Sequence, residues 1–183
     1  MIDFDKKKYK YLFLDRDGVI NIERPNDYAK NIDEFVFIEN AAKAISILSQ
    51  HFDEIFIVTN QRGIGKGLMT RKSLDDIHNH MLAVISNQGG QISNIYFCTD
   101  LSSNSINRKP NIGMAMKAKE EYPQISFDKS VMIGNSRSDI DFGKKLDMYT
   151  ILVGDKYPVD DKIYQIVDAY YQNLYTFALT LQN

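Results

Sequence analysis

The stretch "YLFLDRDGVIN" (11–21) ends a run of aromatic and aliphatic residues in two carboxylates, Asp15 and Asp17, with an arginine between them and a glycine after. Repulsion and desolvation oppose such a pair unless something cationic is held beside it. A divalent cation at this point offsets the repulsion and holds a phosphate oxygen next to Asp15. The chemistry expected is attack of the Asp15 carboxylate on phosphorus, giving an aspartyl phosphate that water later cleaves. Asp17 is placed to protonate the leaving oxygen and then to activate the water. Gly18 lets the backbone turn sharply and approach a ligand. Spacing alone does not carry this reading, because Asp-x-Asp occurs at Asp3/Asp5, Asp15/Asp17 and Asp139/Asp141. What distinguishes the second pair is the strand before it and the partners supplied elsewhere.

Three other stretches supply those partners. "VTNQRGIGKG" (58–67) ends an apolar run in Thr59 and Asn60 and continues through three glycines. A hydroxyl and exposed backbone N–H groups at such a point can cradle phosphate oxygens. The string is not a P-loop, since it lacks the Lys-Ser/Thr ending, and no glycine-rich dinucleotide turn directly follows the first strand. "NRKPNIGM" (107–114) offers Arg108 and Lys109 ahead of Pro110, which is expected to fix the turn into a helix. A cation there neutralises phosphoryl oxygens as charge moves. "MIGNSRSDIDFG" (132–143) places Asn135 and Asp139 after another apolar run. A metal site of Asp15, the Asp17 main-chain carbonyl and either Asn135 or Asp139 is all oxygen, which favours Mg²⁺. His51, His78 and His80 fall on helical patterns without partners at the strand ends, so core or surface roles are expected of them.

The elements that must position these groups are legible as short apolar runs: 11–15, 54–60, 94–99, 130–135 and 149–154. They are rich in β-branched and aromatic residues and do not alternate strictly, as parallel strands covered on both faces do not. Helical patterns lie between them at 40–52, 70–89, 111–123 and 136–146. In the second, Leu74, Ile77, Met81, Leu82 and Ile85 share a face that ends at Gly89. The tail suits a short strand near 169–172 followed by a closing helix, with one continuous amphipathic helix as the rival. Strand alternating with helix predicts an α/β fold, a three-layer doubly wound parallel sheet with right-handed crossovers. Ligands of such sheets gather beyond the carboxyl ends of the strands, where Asp15, Asp17, Thr59, Asn60, Asn135 and Asp139 fall, and the loop carrying Arg108 and Lys109 is placed to reach the same edge.

A length of 183 residues suits a single domain spanning 1–183. With 44% hydrophobic and 25% charged residues the chain reads as globular, and a formal charge of −2 gives no reason to expect nucleic acid or a membrane as partner. Cys98 is the single cysteine, which rules out an internal disulfide and fits a reducing compartment. The N-terminal apolar run is cut short by Asp15, so it is neither a signal peptide nor a membrane span, and a cytoplasmic location is expected. The expected partner is a small phosphate ester, and a monomer is the favoured assembly.

The four stretches together resemble the haloacid dehalogenase superfamily of phosphotransferases, whose motifs occur in this order, over about residues 9–155. More narrowly, "FLDRDGVIN", "TNQRGIGKG" and "RKPNIGM" are similar to the D-glycero-D-manno-heptose 1,7-bisphosphate 7-phosphatases and the related histidinol phosphatases. The resemblance implies Asp15 as nucleophile and Asp17 as general acid/base. It also implies Thr59 and Lys109 as phosphoryl stabilisers, a Mg²⁺ ion, and a small or absent cap. Arg108 helps recognise the substrate, and Arg16, Asn60 and Gln61 join it as candidate substrate contacts. Two departures stand out. Asn135 occupies the place where the superfamily usually has an aspartate, so one charge is missing, and Asp139 is the candidate to compensate. The heptose phosphatases often carry a zinc loop of three cysteines and a histidine before "RKP". Here "CTDLSSNSIN" keeps only Cys98, and structural zinc wants four ligands, so no zinc is expected. The resemblance points to a sugar phosphate, with histidinol phosphate, a polynucleotide 3′-phosphate or a non-catalytic phosphate-binding homologue as alternatives.

Overall fold

In the computed structural model, which describes residues 4–182, six strands form one parallel sheet. Asp3 of the first Asp-x-Asp pair lies outside the described residues. The strands are β1 (Tyr11–Leu14), β2 (Glu54–Asn60), β3 (Asn94–Cys98), β4 (Ser130–Gly134), β5 (Tyr149–Val153) and β6 (Ala169–Tyr171). The helices are α1 (Ala41–Leu48), α2 (Arg62–Gly65), α3 (Arg71–Asn87), α4 (Gly113–Glu121), α5 (Arg137–Lys144) and α6 (Leu174–Thr180). The tail is thus the strand and closing helix, not the continuous helix. Strand order is β3-β2-β1-β4-β5-β6, so the chain reverses its direction of travel at β1 and β4. A parallel sheet that switches there opens a crevice beyond the strand ends.

Side-chain alternation along the strands builds the three layers. Leu12, Leu14, Ile55, Ile57, Val131 and Ile133 pack with Ala44, Ile45, Leu74, Ile77 and Phe177 from α1, α3 and α6. Their neighbours Phe13, Phe56, Val58 and Met132 face the other way, against Met114, Ala115 and Phe142 of α4 and α5. Both faces are covered, which is why these strands read as continuous apolar runs. Helix starts are set by short polar side chains: Thr70 accepts the Ser73 N–H ahead of α3, and Asn173 accepts the Thr176 N–H ahead of α6. On α3 the buried stripe is Leu74, Ile77, His78, Met81 and Ile85. Leu82 is only half-buried, and His78 takes the core position that the hydrophobic pattern assigned to it.

Two features bear on the site. Leu14 pairs with both Ile57 and Ile133, so β1 and β4 end nearly level while β2 runs on to Asn60, and Asp15, Thr59 and Asn135 lie along one edge. The connection from β1 to α1 (residues 15–40) has no helix or named strand among the described residues, only isolated bridges at Asp17–Asn21 and Asn21–Phe37. It is folded back by these bridges and lies beside the same edge.

Candidate active site

Beyond the strand ends lies a cavity of about 240 Å³ lined by Asp15, Asp17, Glu23, Thr59, Asn60, Lys109, Asn135, Ser136, Ser138, Asp139 and Lys156. Lys109, almost wholly buried, is its central cation. Its Nζ lies 2.9 Å from Asp15 Oδ1 and 2.6 Å from Asp139 Oδ1, and donates to the Val58 carbonyl at 2.6 Å. Asn60 clamps the backbone that presents it, accepting the Lys109 N–H and donating to the Lys109 carbonyl. The turn expected of Pro110 sits three residues ahead of α4, and the Lys109–Pro110 bond is cis.

Asp15 and Asp17 differ sharply. Burial, then the nearby Asp139 carboxylate, pushes the Asp15 pKa up to about 7 against the pull of Lys109. Burial raises the Asp17 pKa too, but Arg16, Asn21 and Gln61 outweigh it and hold the carboxyl below its ordinary value. The contacts are direct. Arg16 Nη2 donates to both Asp17 oxygens at 3.0 Å, Asn21 Nδ2 to Oδ1 at 3.0 Å, and Gln61 Nε2 to Oδ2 at 2.8 Å. Gln61 also donates to Thr59 Oγ1 at 2.9 Å, which ties the hydroxyl to the same frame.

Two of the expected substrate contacts, Arg16 and Gln61, are buried beneath the cavity wall. Arg16 has no exposed surface. It lies beneath Asp17, with Nη1 3.2 Å from His78 Nε2 and its guanidinium over the Phe35 ring, so it positions a carboxylate and cannot reach a ligand. Gln61 is likewise buried, with Nε2 donating to Asp17 and Thr59 and Oε1 without a partner among the described residues. A guanidinium only donates, so His78 Nε2 must accept and the ring is neutral. Burial, then the Arg16 charge, lowers the His78 pKa to about 3. His78 therefore has a site partner that the sequence did not reveal. The consequence is testable. Unfolded histidine takes a proton near 6.5 and the native ring does not, so the unfolded state binds more protons and stability falls as pH drops from 6.5 towards 3. Between pH 7 and 5 this amounts to about 2 kcal/mol at most. Urea titrations at the two pH values should show that loss reduced in His78→Gln, which keeps an acceptor but does not titrate.

Gly63 and Gly65 of "TNQRGIGKG" serve packing, while Gly67 has open space around it and a φ of +69°. The string forms the short helix α2, and a Cβ on Gly65 would sit 2.3 Å from the Thr99 carbonyl oxygen. Beside the catalytic cavity this helix helps wall a second one of about 490 Å³, lined by Asp17, Glu23, Arg24, Asn26, Asp27, Tyr28, Asn60, Arg62, Lys66 and Arg108. Arg62 Nε and Arg108 Nη1 are buried without a hydrogen-bond partner among the described residues. Glu23, Tyr28, Arg62, Lys66 and Lys156 were not among the sequence candidates. Only the basic residues around the glycines could have signalled them.

The possible cation donors are all oxygen. Asp139, buried completely, accepts from the Ser136 backbone N–H and hydroxyl at Oδ2 as the cap of α5, while Oδ1 faces Lys109. Asn135 Oδ1 accepts no hydrogen bond among the described residues, while Nδ2 donates to Glu23 Oε2. The Asp15 and Asp139 carboxylates repel one another and the Asn135 oxygen has no donor, and a bound Mg²⁺ would relieve both. Among the described residues no helix is long and apolar enough to cross a membrane.

The strand order and its switch point give the sheet the haloacid dehalogenase-like fold, with Asp15, Thr59 and Lys109 brought together beyond the strand ends. The model of the family described as polynucleotide kinase 3 phosphatase matches residues 10–169, and the chain belongs to that family. It is 34% identical over 146 residues, 80% of this chain and 83% of the relative, to the D-glycero-alpha-D-manno-heptose-1,7-bisphosphate 7-phosphatase of Campylobacter jejuni. To the corresponding beta enzyme of Pseudomonas aeruginosa it is 32% identical over 143 residues, 78% of this chain and 79% of the relative. Among solved structures, the D,D-heptose 1.7-bisphosphate phosphatase from B. bronchiseptica, complexed with magnesium and phosphate, superposes with a TM-score of 0.82 at 24% identity. That alignment covers 94% of this chain and 98% of the other. The protein is a phosphatase of this fold.

Proposed function

We propose that the protein is a Mg²⁺-dependent phosphomonoesterase that works through an aspartyl phosphate on a sugar bisphosphate, D-glycero-D-manno-heptose 1,7-bisphosphate being the favoured substrate. The observation that supports the bisphosphate most is the second cavity. Arg62, Lys66 and Arg108 line it beside Asp17, and none of the three has a carboxylate partner within salt-bridge distance among the described residues. A second anionic group at the far end of a substrate would fill that need, whereas histidinol phosphate has none to offer.

The residues divide the work. Asp15 attacks phosphorus, forming the Asp15 O–P bond as the P–O bond to the sugar breaks. Thr59 Oγ1, held by Gln61, is free to donate its proton to a phosphoryl oxygen. Lys109 neutralises charge on the phosphoryl group and on Asp15. Asp17 is ionised before substrate binds, and an incoming phosphoryl dianion raises its pKa so that it carries the proton for the leaving oxygen. It takes a proton back from the water that cleaves the aspartyl phosphate, and Asp15 is regenerated. Bound Mg²⁺, held by Asp15, the Asp17 carbonyl and the Asn135 oxygen, would supply charge neutralisation for the phosphoryl oxygens. The single thiol, Cys98, suits a reducing cytoplasmic setting and leaves structural zinc short of ligands. Elemental analysis of purified protein is expected to find no stoichiometric zinc.

The deciding experiment is hydrolysis of matched substrates with Mg²⁺. Heptose 1,7-bisphosphate should be cleaved at position 7 with a kcat/KM at least tenfold above histidinol phosphate and a 3′-phosphorylated oligonucleotide. Preference for either of those two overturns the substrate, and no turnover of any ester overturns the enzyme. A second test addresses Asn135. In Asn135→Asp the new carboxylate faces Glu23, whose Oε2 is 2.8 Å from the native Nδ2. Without Mg²⁺ the variant should melt below wild type, and with Mg²⁺ its gain in Tm should exceed that of wild type. Affinity should rise about tenfold once repulsion among the anions is set against the new attraction. Equal Mg²⁺ shifts would remove Asn135 from the metal.

A further inference from the structure

We propose that Glu23 supplies, through Asn135, the negative charge that the cation site lacks; this rests on the Mg²⁺ reading above. The neutral amide of Asn135 is at the end of β4, where the neighbouring carboxylate among the described residues, Asp139, already accepts from Ser136 at Oδ2 and lies against Lys109 at Oδ1. Behind it, Asn135 Nδ2 donates to Glu23 Oε2 at 2.8 Å across 112 residues of sequence. Only the NH₂ end of an amide can donate to a carboxylate, so chemistry fixes how Asn135 is turned and leaves Oδ1 as the end available to a cation. A carboxylate accepting from the amide nitrogen draws electron density towards the amide oxygen. Carboxylates behind metal-binding imidazoles act in the same way, setting orientation and raising donor strength.

The surroundings fit this use. Gly18 makes room for the amide: its φ is +84° and a Cβ there would fall 1.8 Å from Asn135 Nδ2. Lys156, from the loop after β5, holds Glu23 from the other side with Nζ 2.8 and 2.9 Å from its two oxygens. Lys156 also lines the catalytic cavity, so its charge opposes a cation that Glu23 favours. Glu23 and Lys156 are therefore positioning residues of opposite sign acting on one amide.

Mg²⁺ calorimetry on the full chain tests this without reference to turnover. Glu23→Gln keeps an oxygen that accepts from Asn135 Nδ2 but carries no charge, so a purely structural strap would survive it. Charge supply predicts that Mg²⁺ binds Glu23→Gln about tenfold more weakly. It predicts several-fold tighter binding in Lys156→Met, where the competing cation is gone. Glu23→Gln/Asn135→Asp should bind at least as tightly as wild type, because the charge has moved onto the ligand. Glu23 is 39% exposed at its side chain, and apo melting curves confirm that each variant is folded. Wild-type Mg²⁺ affinity in Glu23→Gln, within twofold, overturns the role of Glu23 and leaves the phosphatase reading intact. So does weaker binding in Lys156→Met. Absence of Mg²⁺ binding in wild type overturns the metal reading and this inference with it.

Discussion

Asp15→Asn is expected to lose turnover by about 10⁴-fold or more while its fold persists or gains stability. The amide cannot attack phosphorus, and losses of that size are what removal of a nucleophile produces. Stability should move the other way because wild-type Asp15 is a penalised carboxylate. Its pKa is pushed up to about 7 by burial and by Asp139, above the ordinary value near 3.8. The native state therefore holds this proton more tightly than the unfolded chain does. The sign follows: in Mg²⁺-free buffer its contribution to stability falls as pH rises from about 4 to about 7. The uncharged amide of Asp15→Asn would carry no such loss. The variant should therefore melt at or above wild type at pH 8, where Lys109 keeps its pairing with Asp139. Rapid-quench capture of phosphate on Asp15 in wild type, absent from the variant, checks the chemistry. Near-wild-type turnover would remove Asp15 from the nucleophile role.

Lys109→Met should damage both activity and stability. In wild type the buried ammonium lies between Asp15 and Asp139 at 2.9 and 2.6 Å. Methionine fills similar volume but leaves two buried carboxylates facing each other. Breaking a buried ionic cluster from one side costs about 3–5 kcal/mol. Asp15 relieves part of this by taking up a proton, and at about 2–4 °C per kcal/mol a fall in Tm of roughly 6–20 °C is expected. Turnover should drop by about 10²–10³-fold from loss of the phosphoryl cation alone. The double variant Lys109→Met/Asp139→Asn separates the two effects. It removes the stranded charge of Asp139 and should recover much of the Tm, while turnover stays low. Recovery of activity together with stability would make Lys109 a structural ion and nothing more.

Local features of the chain were enough for the sheet and for the outline of the site. Each of the first five strands except β2 ends one residue inside its apolar run, and β2 matches it, because a strand buried on both faces needs only apolar side chains to declare itself. Asp15, Thr59 and Asn135 were legible because in a parallel α/β sheet polar residues at strand ends have one common edge to occupy, and Lys109 because its loop before α4 could reach that edge. The short helix α2 was not, since a turn of helix among glycines carries no periodicity. What the sequence left open was direction and pairing. Arg16 sits between two candidate residues yet turns inwards, because His78, 62 residues away, and Phe35 offer it a buried acceptor and a ring face. Asp139 and Asn135 were equal candidates for the cation in the sequence; only the fold shows that Asp139 caps α5 through Oδ2 and lies against Lys109 through Oδ1. Glu23 was an unremarked loop residue until the connection after β1 folded back on the end of β4. Residue type and strand position are local properties, but a polar side chain turns to whichever partner satisfies it. In this protein those partners arrive from other elements only once the sheet is assembled.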